Sequence, residues 1–263
     1  MAKRSSSILL ALSLTLLAPI VAVAQQAPPP PEPPVFTFNP DWTIPRAMWD
    51  SLGKYFDRDI RPVLERRVAD GTLLSWGGYQ TVIHQPTSGT DGFWWSATSI
   101  AALERVTGEL LPIAARNPAI TAATSHIDGL YRSIIQRRRG AASGSGYLWV
   151  GATQVQPGKG QEYRELWEKY TKPTYDSLLA AGVITMYSLD VEQVHTQNPG
   201  WRYFYYVTAT PDGVDKVVAT FAALGQRRGP DVNRAIGDQF AEVTVAGAHW
   251  DFFGRVLRFA QAK

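Results

Sequence analysis

The chain repeats itself, and the repeat limits the folds open to it. Displacing the 263-residue sequence by 111 positions aligns residues 51–106 with 162–217 without a gap. Seven of the 56 aligned positions are identical: Pro62/Pro173, Ala69/Ala180, Gly71/Gly182, His84/His195, Gly89/Gly200, Phe93/Phe204 and Val106/Val217. Residue class is kept at others, notably Phe56/Trp167, Trp76/Tyr187, Trp94/Tyr205 and Trp95/Tyr206. Further along the displacement becomes 123, and residues 125–132 (SHIDGLYR) match 248–255 (AHWDFFGR) through the pattern H-x-D-x-x-x-R. All four histidines therefore fall into matched pairs. Self-similarity at this scale points to two copies of one supersecondary unit.

The second copy is the clearer one. Residues 147–156 read as a strand, Pro157-Gly158-Lys159 as a turn, and residues 161–180 as a helix with Leu166, Trp167, Tyr170, Leu178 and Leu179 at helical spacing. Pro173 kinks or restarts that helix, because proline lacks the donor and clashes with the preceding turn, and Gly182 suits its C′ position. A strand over 183–195, a hairpin turn at Asn198-Pro199-Gly200 and a strand over 201–210 follow. Then come a helix from Pro211-Asp212 to Leu224, a fourth strand at 240–246 and a short helix from about His249 to Phe259. In the first copy, residues 35–38 make a short strand that Asn39-Pro40-Asp41 interrupts. Phe204 and Tyr206 point to one face of their strand, Tyr203 and Tyr205 to the other, and Phe93, Trp94 and Trp95 repeat this. A sheet apolar on both faces must be covered twice, by helices on one side and most simply by the sister sheet on the other.

The duplicated βαββαβ pattern resembles the dimeric α+β barrel superfamily, whose ferredoxin-like units pair sheet to sheet. The resemblance covers residues 147–246 and, more loosely, 51–124. It implies an α+β fold of two tandem ferredoxin-like units, residues 35–139 and 147–263, each followed by a short extra helix. Gly140–Gly146, rich in Gly and Ser, reads as the linker between them. The superfamily admits cofactor-independent oxygenation, isomerisation and haem chemistry, and a fold does not choose among them.

Composition closes other routes. There is no cysteine, which excludes disulfide scaffolds, thiolate metal sites and cysteine nucleophiles. Met1-Ala-Lys3-Arg4, an apolar stretch to Val23 and the small-x-small triplet Ala22-Val23-Ala24 read as a signal peptide over residues 1–24, cleaved to leave a periplasmic or secreted protein with no retained membrane anchor. That leader takes two of the 26 basic residues and none of the 23 acidic ones, leaving a net charge of +1, which argues against a nucleic-acid partner. Residues 25–34 form a proline-rich spacer.

The candidate chemistry rests on the four histidines, His84, His195, His126 and His249. The first two end the second strand of each unit and suit either ligand anchoring or holding the hairpin. The other two precede Asp128 and Arg132, or Asp251 and Arg255, which would form i,i+4 ion pairs on a helix and are further ligand-binding candidates. With the second and fourth strands antiparallel, His84 and His126 are expected at opposite ends of the sheet, so no metal site is expected within one unit. Trp94, Trp95, Tyr205 and Tyr206 are expected to line a pocket for a small apolar or aromatic molecule. The alternatives are a His-assisted oxygenase or isomerase, a haem protein with His126 or His249 as axial ligand, and a non-catalytic assembly module. The oligomeric state stays open.

Overall fold

The computed structural model describes residues 33–84, 89–194 and 200–263. The leader, nearly all of the proline-rich spacer, His195 and the Asn198-Pro199 turn lie outside the described residues. The first half runs β1 (Phe36–Thr43), α1 (Trp49–Tyr55), α2 (Arg61–Ala69), β2 (Ser75–Thr81), β3 (Asp91–Ala97), α3 (Ile100–Ala114), α4 (Pro118–Thr121) and β4 (Ser125–Arg138). The second runs β5 (Ala142–Val155), α5 (Gly160–Tyr170), α6 (Lys172–Ala180), β6 (Ile184–Glu192), β7 (Trp201–Thr208), α7 (Gly213–Ala241) and β8 (Thr244–Gln261). All eight strands close into one barrel in the order β1-β3-β2-β8-β5-β7-β6-β4, every neighbour antiparallel. The halves meet at two seams, β2 against β8 and β4 against β6. Among the described residues no helix is long and apolar enough to cross a membrane.

Strand alternation sorts the side chains into two compartments. Outward residues such as Trp76, Phe93 and Trp95 pack under the first-half helices with Leu52, Phe56 and Leu64. Tyr187, Leu189, Phe204 and Tyr206 do the same in the second half with Trp167, Tyr175 and Leu178. Each of these that is fully buried contributes about 1.5–3 kcal/mol, Phe204 being only partly buried. Inside the barrel, Leu148, Met186, Val207, Val256 and Phe259 form a third apolar cluster. Pro173 does restart the helix, lying in the first turn of α6 just after α5 ends.

Three expectations are corrected. Residues 249–259 are strand: α7 runs on to Ala241 and β8 takes 244–261, so no extra helix follows the second half. The sequence itself alternates there, with His249 and Asp251 outward and Trp250 and Phe252 inward, a period of two. No extra helix follows the first half either, since β4 ends at Arg138 and Ala142–Gly146 is already strand, paired with the end of β8. Finally, β1 is not interrupted at Pro40. The register Phe38↔Trp95 and Asp41↔Gly92 sets Pro40 opposite Phe93, which loses a ladder donor. The side chain of Asn39 replaces it, its Nδ2 donating to the Phe93 carbonyl at 2.6 Å.

Candidate functional site

Two cavities lie on opposite faces of the sheet. The first is on the outside of the second half, between the sheet and α5, α6 and α7, with a volume of about 460 Å³. Trp167, Tyr175, Phe204, Tyr206 and Phe221 supply its aromatic walls. β5 and β8 supply its polar floor: the register sets Gly151 beside Asp251 and Thr153 beside His249. His249 Nε2 lies 3.3 Å from Asp251 Oδ2, its Nδ1 lies 3.1 Å from the Thr153 hydroxyl, and the Trp149 indole donates to Asp251 Oδ1 at 3.3 Å. At Gly151 a side chain would crowd Asp251, so its absence keeps the floor open. α7 reaches over this space with a break at Gly229, whose positive φ of 77° precedes Pro230. Phe240, beyond the break, joins the lining.

The second cavity, about 130 Å³, is the barrel interior. One wall is polar: Thr37, Asn39 and Asp41 from β1, Tyr131 from β4, and Asp190 from β6. The opposite wall is apolar, with Trp94, Leu148, Val150 and Phe252. Asp41 accepts from the Tyr79 hydroxyl at 2.7 Å, and that hydroxyl accepts from Asn39 Nδ2 at 3.0 Å. Asp190 accepts from Ser188. Burial pushes both carboxyl groups up to about 7, helped at Asp41 by repulsion from Asp91 and Asp128. Burial also raises the phenols of Tyr79, Tyr131 and Tyr205 well above their ordinary range. The indole of Trp94 lies across Gly77, where any side chain would collide with the ring.

The four aromatic residues expected in one pocket do not meet. Trp94 and Tyr205 line the interior, while Trp95 packs against Phe38 in the first-half core and Tyr206 walls the outer cavity. Adjacent strand residues point to opposite faces, and that separates them. His84 lines neither cavity and stacks on Trp49 with ring centroids 5.8 Å apart. His126 starts β4 rather than ending a strand, which puts it at the same end of the barrel as His84, not the opposite one. It stacks on Trp42 and its Nε2 lies 2.9 Å from Asp128. The i,i+4 ion pairs Asp128–Arg132 and Asp251–Arg255 do not form, because in a strand residues four apart are about 13 Å apart; each Asp pairs instead with the His two residues before it. Arg132 and Arg255 are exposed.

Neither histidine expected as a haem axial ligand is set up for one: the outer lining around His249 holds no Lys or Arg for the propionates, and His126 lines neither cavity and lies flat on Trp42. Among the described residues no group of three His, Asp or Glu is placed to hold a metal ion. Sequence reasoning missed Thr153, Trp149, Asp41 and Asp190.

No protein-family model matches the sequence, and no curated protein matches it. Solved structures do match. A "putative monooxygenase" from Lactobacillus acidophilus NCFM superposes with a TM-score of 0.58 at 10% identity, over 88% of this chain and 97% of the other. A second, from Fusobacterium nucleatum subsp. nucleatum, gives 0.59 at 10% identity, over 87% and 94%. The fold is the dimeric α+β barrel. An anthrone oxidase-like protein shares this barrel, with a TM-score of 0.52 at 14% identity, over 88% of this chain and 94% of the other. Identities this low establish the barrel and leave its chemistry to the residues just described.

Proposed function

We propose that the outer cavity of the second half binds a small planar aromatic molecule bearing an activated C–H group, and that His249 accepts its proton. The observation that carries this reading is the His249–Asp251 pair on the floor of an otherwise aromatic cavity of about 460 Å³. With Nε2–H directed at Asp251, the basic nitrogen is Nδ1, and Asp251 stabilises the imidazolium once formed. The Thr153 hydroxyl that donates to Nδ1 rotates freely and gives way to the substrate. The aromatic walls hold the ring system over the half-exposed imidazole.

The carbanion so formed has two outlets. It can be reprotonated at another carbon by the imidazolium, an isomerisation. It can instead react with dioxygen, converting the CH₂ group to C=O with release of water. The second is favoured, because three neighbours of the same fold carry the words monooxygenase or oxidase in their descriptions. The reading includes tandem duplication of a ferredoxin-like unit, supported by the repeat and by the same strand order in both halves. It also includes export, supported by the leader pattern of residues 1–24.

Anthrone is a suitable probe. Without oxygen, in D₂O, the wild-type protein is expected to exchange the acidic CH₂ protons; in air it is expected to consume oxygen and form the ketone. His249→Ala should slow both by about 10²–10⁴-fold, and Thr153→Trp should block access. Exchange at wild-type rate in His249→Ala would overturn the assignment. Exchange without oxygen uptake would leave the isomerase.

A further inference from the structure

At the rim of the outer cavity stands a half-buried cation, Arg202, that no carboxylate among the described residues answers. We propose that Tyr163, with Arg202 beside it, donates to the oxygen on which charge collects when His249 takes the proton, so that the substrate is a cyclic aryl ketone with C–H and C=O at opposite corners of one ring. This assignment rests on His249 being the base and adds the group that meets the displaced electrons. The C–H bond breaks, its proton goes to His249 Nδ1, and its electron pair moves through the ring to the carbonyl oxygen, which accepts a hydrogen bond from the Tyr163 hydroxyl.

The strand register sets the parts in line. Thr153 on β5 faces His249 of β8 on one side and Arg202 of β7 on the other. Arg202 shares its strand face with Phe204 and Tyr206, two walls of the cavity. α5 brings Tyr163 into the lining, where its hydroxyl meets that of Thr153. Thr153 in turn lies 3.1 Å from His249 Nδ1. Two hydrogen bonds, about 5–6 Å, thus separate base and phenol, which suits a six-membered ring with a carbonyl on its far corner. Burial pushes the phenol up to about 12, so it keeps its proton and serves as a donor.

Arg202 closes the row. Its Nη1 donates to the Trp201 carbonyl at 3.1 Å, its Nη2 packs over Gly160, where a side chain would displace it, and its buried Nε has no partner among the described residues. The groups that act on its charge are Tyr163 and a second guanidinium, Arg132. A partly desolvated cation without an anion is costly, and an enolate oxygen forming at Tyr163 is the charge it lacks.

The other copy of the repeat is the control. Displaced by 111 residues, Tyr163, Thr153 and Arg202 become Leu52, Trp42 and Asp91, and Trp42 faces Asp91 as Thr153 faces Arg202. Leu52 and Trp42 are core residues there. Packing therefore needs neither the phenol nor the cation; both occur in the half that keeps the large cavity.

Two measurements test this. In anaerobic exchange of anthrone in D₂O, Tyr163→Phe should be about 10²-fold slower than wild type and Arg202→Gln about tenfold slower, with Arg202→Lys between that variant and wild type. The second needs no turnover: an absorbance titration of bound 2-naphthol, a planar phenol whose anion mimics the enolate. The wild type should lower the apparent pKa of the naphthol by about one or more, and Tyr163→Phe and Arg202→Gln should each reverse most of that. Binding of neutral 2-naphthol by both variants reports that they are folded. Full-rate exchange in Tyr163→Phe, or a naphthol pKa that neither variant moves, would overturn the donor and leave the base standing if His249→Ala is inactive. A lowering lost only in His249→Ala would put the anion at the imidazole and overturn it too. Full-rate exchange in His249→Ala, or no binding of 2-naphthol by the wild type, would overturn base and donor together.

Discussion

His126 and His249 occupy the same place in their halves, and the chain treats them differently. In the first half the cross-strand neighbour of His126 is Trp42, which stacks on it with centroids 4.8 Å apart and planes within 1° of parallel. In the second half the cross-strand neighbour of His249 is Thr153, 111 residues after Trp42, and the contact is one hydrogen bond. Pro40 and Gly151 are related in the same way, each facing the Asp of its pair. Between the first-half sheet and its helices, with Trp42 in place, the cavity is only about 40 Å³, the larger first-half space of about 430 Å³ lying away from the sheet among Tyr55, Arg58 and Arg116; with Thr153 a space of about 460 Å³ remains against the sheet. One half keeps its packing and the other gives packing up for a site.

That contrast can be broken by exchanging what fills the space. Trp42→Ala removes a large buried ring and should cost about 3–5 kcal/mol in urea unfolding, while Thr153→Ala should cost less than about 1 kcal/mol. Similar losses at both positions would show that the halves are packed alike.

The halves also differ within the barrel, where Tyr79 and Asp190 are 111 residues apart. Burial raises Asp190 to about 7; Ser188 and Ser133 donate to it, and Tyr131 and Tyr205 face it without a positive charge. A carboxyl group raised in the folded state holds its proton longer there than in the unfolded chain. The wild type should therefore lose stability as pH rises from about 4 through about 7. Asp190→Asn should remove part of that slope, stabilising the protein at about pH 8 by up to about 4 kcal/mol and leaving it nearly unchanged near pH 4. Thermal melts at the two pH values check this, and a slope as steep in the variant as in the wild type would place the titration elsewhere.

A third comparison uses the histidines. His249→Ala is expected to abolish anthrone exchange with little change in melting temperature, whereas His126→Ala should keep exchange and lose about 0.5–1.5 kcal/mol of stability with the Trp42 stack. Smallest of all, Trp149→Phe removes only the indole donor to Asp251, so exchange should slow less than about tenfold.

The barrel was legible in the sequence through the two-faced aromatic strands, which demand cover on both sides. The repeat fixed the element order up to the last strand. It failed at residues 249–259, where His, Asp and Arg at helix-compatible spacing hid an alternation of period two, and at Pro40, where a neighbouring side chain stands in for the lost donor. The outer site was half legible. His249 and Asp251 stood out through their motif, while Thr153 becomes visible only when the displacement of 111 is carried back to β1. Asp41 and Asp190 come to line one interior only through closure of the barrel, which brings β1, β4 and β6 side by side, and no local pattern announces it.

β8 pairs with β5 along nearly its whole length and with β2 along its last eight residues. It is therefore the clasp between the halves, and it is the eighth strand to leave the ribosome. Until it arrives, β2 is an open edge carrying Trp76 and Tyr79, a template for pairing with another chain. Its partner residues 254–261 are far away in sequence, so closing this seam incurs the largest loop entropy in the molecule and should be the slow step of folding. A nascent or nicked chain lacking β8 is thus expected to aggregate through β2, with a finished first half on display.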